Sequence, residues 1–229
     1  MNTIEIHIQK QNSITRQASR YARLGAAMMM VAVLVSTSLL NRVEAAAGDL
    51  DLAFGGDGKV LTRFTNNADN VIRGIAVQAD GNVVAAGYTT NDDPALALDF
   101  ALARYRLDGS LDTSFGSGGK VLTDFNHSSD LAYALTILSD GKILVCGTSS
   151  NQPALARYNT DGSLDASFGT GGKAVATVFN SSQVYAVAVQ PDGRILAAGR
   201  TSQGVQFGDI DFTLIRFYAN GSLDTTFGD

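Results

Sequence analysis

The sequence predicts an all-β chain built from tandem four-stranded antiparallel units, and three observations carry that reading. First, the string Gly-Ser-Leu-Asp-x-x-Phe-Gly occurs at 109–116, 162–169 and 221–228, with a variant at 49–55. Its leucine recurs at Leu50, Leu111, Leu164 and Leu223, giving periods of 61, 53 and 59 residues. Second, each repeat holds an Asp-Gly pair between two apolar runs: Asp80-Gly81, Asp140-Gly141 and Asp192-Gly193. This dipeptide tolerates the positive φ of tight hairpin turns. Third, every acidic residue beyond position 45 is Asp, which suits turns and is poor in helix interiors.

The elements follow in order. A Gly-Lys-Val-like segment (58–60, 119–121, 172–174) opens each repeat as a first strand. The second strand precedes Asp-Gly and alternates large with small side chains, Ile75 and Val77 against Ala76, or Val187 and Val189 against Ala188. One face therefore packs deeply while the other approaches a neighbour closely. The third strand (83–86, 143–146, 195–198) is apolar throughout and needs cover on both faces, which stacked repeats supply. The fourth carries Leu102-Ala103-Arg104-Tyr105, Leu155-Ala156-Arg157-Tyr158 or Leu214-Ile215-Arg216-Phe217, and ends in Asp108-Gly109, Asp161-Gly162 or Asn220-Gly221. The repeats span about 49–109, 110–162 and 163–221, followed by the start of a further motif.

These spaced motifs, Leu-Asp-x-x-Phe-Gly, Gly-Lys, Asp-Gly-x-Ile-Leu-x-x-Gly and Ala-Arg-Tyr-x-x-Asp-Gly-Ser, resemble the bacterial delta-60 repeat from about Asp49 to Asp229. The resemblance implies four-stranded blades of β-propeller type and no assigned activity. Closed rings have about four to eight blades, so three make a partial, propeller-like array.

Residues 1–45 read as a secretory signal peptide. Lys10, Arg16, Arg20 and Arg23 precede an uncharged run from Leu24 to Leu40, and Val43-Glu44-Ala45 places small residues at the cleavage positions. A run of this length also sits at the lower edge of what spans a bilayer, so an uncleaved anchor is the competing reading. Cleavage predicts a secreted or periplasmic protein, and association with the membrane is expected only if the signal stays uncleaved. The domain at 46–229 then holds 12 basic and 20 acidic residues, a net charge of −8. Such a surface repels phosphate backbones and anionic lipid, which argues against nucleic-acid partners. Cys146 is the one cysteine, so no intramolecular disulfide and no paired-thiol metal site can form.

Residues that recur in every copy read as blade architecture: Arg104, Arg157 and Arg216, with Asp112, Asp165 and Asp224, fit a structural ion pair or turn cap. The Asp-Gly-Ser-Leu-Asp runs lack the alternating oxygens and distant Glu of a calcium loop. No Gly-Lys-Ser/Thr follows the glycines at 55–58, so they make no phosphate loop. His127 has Ser128 and Asp130 beside it, but neighbours on one short loop seldom adopt triad geometry. Cys146 aligns with Ala86 and Ala198 as a small core residue. No catalytic constellation, metal site or cofactor is expected.

The non-recurrent parts are the connections between first and second strands and between third and fourth, which leave one end of an antiparallel meander. Ligand sites favour variable loops on a rigid scaffold, which selects Asn91, Asp92, Asp93, His127, Gln203 and Asp209 as candidate ligand contacts. The expected function is an exported, non-enzymatic module that binds or scaffolds an extracellular or periplasmic protein or glycan. Its apolar end strands also predict a homo-oligomer that completes a ring. The alternative is a propeller-type hydrolase pairing Asp92 or Asp93 with Asp209 or Asp211.

Overall fold

The computed structural model describes residues 48–65, 69–90, 98–178, 181–202 and 210–228. The expected signal peptide lies outside them, as do Asn91, Asp92, Asp93, Gln203 and Asp209. The described residues contain no helix. They form three antiparallel sheets in chain order, as tandem blades of a partial propeller-like array. The first holds β1 (Asn70–Val77), β2 (Val83–Thr89), β3 (Asp99–Tyr105) and β4 (Lys120–Thr123). The second holds β5 (Asp130–Ile137), β6 (Ile143–Ser149), β7 (Gln152–Tyr158) and β8 (Lys173–Val175). The third holds β9 (Ser181–Val189), β10 (Ile195–Ser202) and β11 (Ile210–Phe217).

Two local expectations are corrected. The Lys-Val segment does not lead the sheet of its own repeat. It closes the preceding one, as β4 pairs with β3 and β8 with β7. The Gly-Ser-Leu-Asp link explains why, because it folds back along the strand just completed. Leu111 bridges to Tyr105, the Asp112 amide donates to the Arg104 carbonyl at 2.9 Å, and the Arg104 amide donates to Gly119 at 3.0 Å. The Asp-Gly turns are also wider than a two-residue hairpin. The Gly81 amide donates to Gln78 and the Gln78 amide to Asn82, while positive φ falls on Gly81 alone and not on Asp80. Asp80 serves instead as a cap, its carboxylate accepting the Asn82 amide, and Asp140 and Asp192 repeat the arrangement.

The sheets stack through their apolar faces. β5 packs on β1, β2 and β3, and β9 packs on β5, β6 and β7. Phe100, Leu102, Phe115, Ile143 and Val145 are buried in the first joint, and Leu144, Leu155, Phe168, Val184 and Ala197 in the second. Cys146 belongs to the second cluster, and burial pushes its thiol up to about 12, as suits a small core residue. β6, covered on both faces, is buried at every position, whereas β2 and β10 are buried less completely because each lies in an end sheet.

Candidate functional site

The two ends of the sheets are built differently. At the end carrying the Asp-Gly turns, the recurring arginines, Phe-Gly motifs and lysines join one repeat to the next. Arg104 Nε donates to Asp112 at 2.8 Å, its Nη1 reaches the Thr160 carbonyl of the following repeat, and its guanidinium lies 4.7 Å from the centre of the Phe115 ring. Arg157 does the same with Asp165, the Ala219 carbonyl and Phe168, and Arg216 with Asp224 and Phe227. The Gly116 amide donates to Asp161 and the Gly169 amide to Asn220, fastening each Phe-Gly to the next turn. Lys120 and Lys173 donate at 2.9 Å to the carbonyls of Arg63 and Asp124, each in the segment of the preceding repeat that leads into the first strand of the lysine's own sheet. The hydroxyl of Ser114 and then the Arg104 guanidinium hold Asp112 down to about 2. Asp165 is lowered further, first by Ser167 and Lys142, and Asp224 falls to about 2, first by Thr226. These groups are clasps, spent on the fold.

The opposite end receives the variable connections. His127 lies in the loop between β4 and β5 with its side chain 89% exposed, its Nδ1 3.1 Å from Asp124. Asn126 and His127 both have positive φ, an uncommon conformation for residues with a Cβ. Ser128 donates to Asp130 at 2.8 Å and shares a hydrogen bond with Ser149, so it is turned to the strand and not to the imidazole.

Sequence reasoning missed that Asp99, Asp124 and Asp130 converge here, with one oxygen of each within 4.8 Å of the others. Burial, then the neighbouring Asp124, raises Asp99, and burial raises Asp130. The three carboxylates could hold a cation, but Asp130 already has a structural task. Its Oδ2 accepts the Phe125 amide, as the Asn70 Oδ1 accepts that of Phe64 in the preceding sheet.

The other feature missed lies on the first strand of each sheet, where the pairing register slips at one residue. The slips fall between Ile72 and Gly74, between Ala132 and Ala134, and opposite Ala198–Gly199, leaving Arg73, Tyr133 and Tyr185 as bulged residues. A bulge re-aims a side chain. Arg73 donates to the Tyr88 hydroxyl at 3.0 Å, and the Tyr133 and Tyr185 rings meet edge to face with centroids 5.0 Å apart. Tyr185 and Arg200 both donate to Gln183 Oε1, Arg200 at 2.8 and 3.0 Å. Tyr133 stands in the middle, raised by burial and then by Tyr185 and Tyr88, with Arg73 and Arg200 also in electrostatic reach. The legible signal is a constant offset, since Arg73, Tyr133 and Tyr185 each stand seven residues before the Asp of Asp-Gly.

Of the candidate hydrolytic aspartates, Asp211 is described, exposed on β11. Residues 78–115, 138–168 and 190–227 match the family model described as a domain of unknown function (DUF5122), beta-propeller. No curated protein matches the chain. The matched segments run from the Asp-Gly turn to the Phe-Gly motif, the part that recurs, and leave out Arg73, Tyr133 and Tyr185.

Proposed function

We propose that this chain of β-propeller-type repeats, of the delta-60 kind, is an exported, non-enzymatic module that binds or scaffolds a ligand at the variable end of its sheets. The observation that carries the reading is the division of labour between the two ends. Arg104, Arg157, Asp112, Asp165, Lys120 and Lys173 are consumed by joints between repeats. The other end presents residues that differ from copy to copy on the same rigid strands, which is how ligand sites are commonly arranged. Residues 1–45 act as the export signal, and the partner is a periplasmic or extracellular protein or glycan.

Self-association belongs to the same reading. Phe100 and Leu102 of β3 are wholly buried beneath the next sheet, whereas the corresponding Phe212 and Leu214 of β11 are exposed. A second copy that covers them would bury what the internal joint buries.

Glycan arrays and pull-downs from cell-surface extracts, run on the purified chain, test the binding reading. Alanine at Asn91, Asp92, Asp93, His127, Gln203 and Asp209 is expected to weaken capture without lowering the melting temperature. Capture lost only on substituting the Gly-Ser-Leu-Asp end would place the ligand on the wrong face.

A further inference from the structure

We infer that the bulge row, Arg73, Tyr133 and Tyr185 with Tyr88, Gln183 and Arg200, is a binding site for an acidic oligosaccharide. The inference rests on the binding-module reading and adds to it a site and a ligand class.

The blade does not depend on which side chain stands at the bulge. The bulge itself is common to all three sheets, and so is the glycine opposite it. Gly87, Gly147 and Gly199 each face the bulged strand so closely that a Cβ would lie 1.8 or 1.9 Å from the carbonyl oxygen of Val71, Leu131 or Gln183. The backbone device is therefore repeated, while the side chains it presents are arginine once and tyrosine twice. The residue after the glycine varies as well, Tyr88, Thr148 and Arg200. A fold that keeps the presenting geometry and changes the presented groups is arranging surface chemistry.

Charge selects the ligand's sign. The joint arginines Arg104, Arg157 and Arg216 are matched to aspartates, as are Arg106, Lys142 and Arg194. Arg73 and Arg200 donate to neutral oxygens instead, and neither has an ion-pair partner among the described residues. Two unneutralised guanidiniums flanking one row, on a domain of net charge −8, favour an anion with planar oxygens that accept a bidentate pair.

The rings select its body. Tyr133 and Tyr185 are partly exposed and perpendicular, at 76°, so they offer apolar ring surface beside polar tips. A pyranose presents an apolar C–H face to such a ring and equatorial hydroxyls to an amide such as Gln183. A uronate adds the carboxylate for an arginine. The three sheets supply the row successively, which suits a short chain of sugars better than a single ion.

The chain has no tryptophan, and three of its seven tyrosines, Tyr88, Tyr133 and Tyr185, belong to this row, so a ligand seated there changes part of the tyrosine emission. Titration with trigalacturonate is expected to change that emission saturably. The fully methyl-esterified trimer, which keeps the rings and loses the charge, is expected to bind at least about tenfold more weakly. The double variant Arg73→Gln with Arg200→Gln, at exposed positions, is expected to lose about tenfold or more in affinity with its melting temperature retained. Tyr185→Phe keeps binding and Tyr185→Ala weakens it. Inorganic phosphate that competes as well as trigalacturonate would reduce the row to an anion site and overturn the inference. So would arginine variants that bind like the parent. If trigalacturonate fails while the array or pull-down captures another component, this inference falls alone, and if nothing is captured, the binding-module reading falls with it.

Discussion

The Cβ that Gly147 lacks would fall 1.9 Å from the carbonyl oxygen of Leu131, inside the van der Waals envelope of the neighbouring strand. A Cβ at Gly87 or Gly199 would likewise lie 1.8 Å from the carbonyl oxygen of Val71 or Gln183. The glycine that closes each Asp-Gly-x-x-x-x-x-Gly segment is thus needed for steric room beside the bulge. Gly147→Ala must displace a backbone at the centre of the array, and overpacking of this kind costs about 1–3 kcal/mol. Chemical denaturation is expected to show that loss, and an unchanged midpoint would mean that the bulge is not held against the glycine.

Tyr158 donates to Thr123 at 2.8 Å across the joint between the first two sheets, and Tyr105 donates to Thr62 in the same way. In the third repeat the two positions are Phe217 and Ala176, so the hydroxyl and its acceptor are lost together. Burial raises the Tyr158 phenol, and an unpaired hydroxyl there costs about 1–3 kcal/mol. Thr123→Ala alone is therefore expected to destabilise by that order. Adding Tyr158→Phe is expected to recover a large part of it in a double-mutant cycle. Additive losses would show that the pair is not coupled.

Much of this architecture is legible in the sequence because it repeats. Leu111, Leu164 and Leu223 mark the period, and the apolar runs 143–146 and 195–198 mark strands that need two covered faces. Which sheet takes the Lys-Val segment was not legible, since alternation is the same whether Lys120 pairs forward or back. The return of the chain at Leu111 decides it. The bulge row escaped notice for a related reason, because a register slip belongs to the backbone and leaves the spacing of Tyr133 from Asp140 unchanged. The carboxylates of Asp99, Asp124 and Asp130 escaped because they start or follow different strands and meet only when the sheets form.

Acid is expected to attack the joints first. A carboxyl whose folded value is depressed contributes stability above its unfolded value, and that contribution disappears as pH falls through the folded one. For Asp112 and Asp224 the interval runs from the ordinary 3.8 down to about 2, and for Asp165 it extends lower. Asp112→Asn is therefore expected to be less stable than the parent at neutral pH and to converge with it as pH falls through this window. A stability difference that is constant with pH would show that the carboxylate charge does not act in the clasp.

Asp130 runs the other way. Burial raises its carboxyl above 3.8, so the penalty for its charge is absent below that value and grows as pH rises through the folded one. Asn70 performs the same backbone capping without a charge. Asp130→Asn is expected to raise the melting temperature at neutral pH, with the gain vanishing in acid. A variant less stable than the parent at neutral pH would mean that the charge itself is required, as it would be if Asp99, Asp124 and Asp130 held a cation.

The exposed end of the third sheet allows a final prediction. Phe212 and Leu214 occupy the positions at which Phe100 and Leu102 are fully buried, and on the first sheet Ile75 and Val77 are exposed where Leu135 and Ile137 pack into a joint. The two ends thus carry the two halves of one repeated interface, and copies can meet head to tail. Burying a large apolar side chain contributes about 1.5–3 kcal/mol, so several together can support association at micromolar concentration. Light scattering is expected to report a dimer or larger closed species, and Phe212→Ser with Leu214→Ser is expected to return the monomer without lowering thermal stability. A parent protein that is monomeric at the same concentration would sink the prediction, because a surface of this composition would then be tolerated in water uncovered.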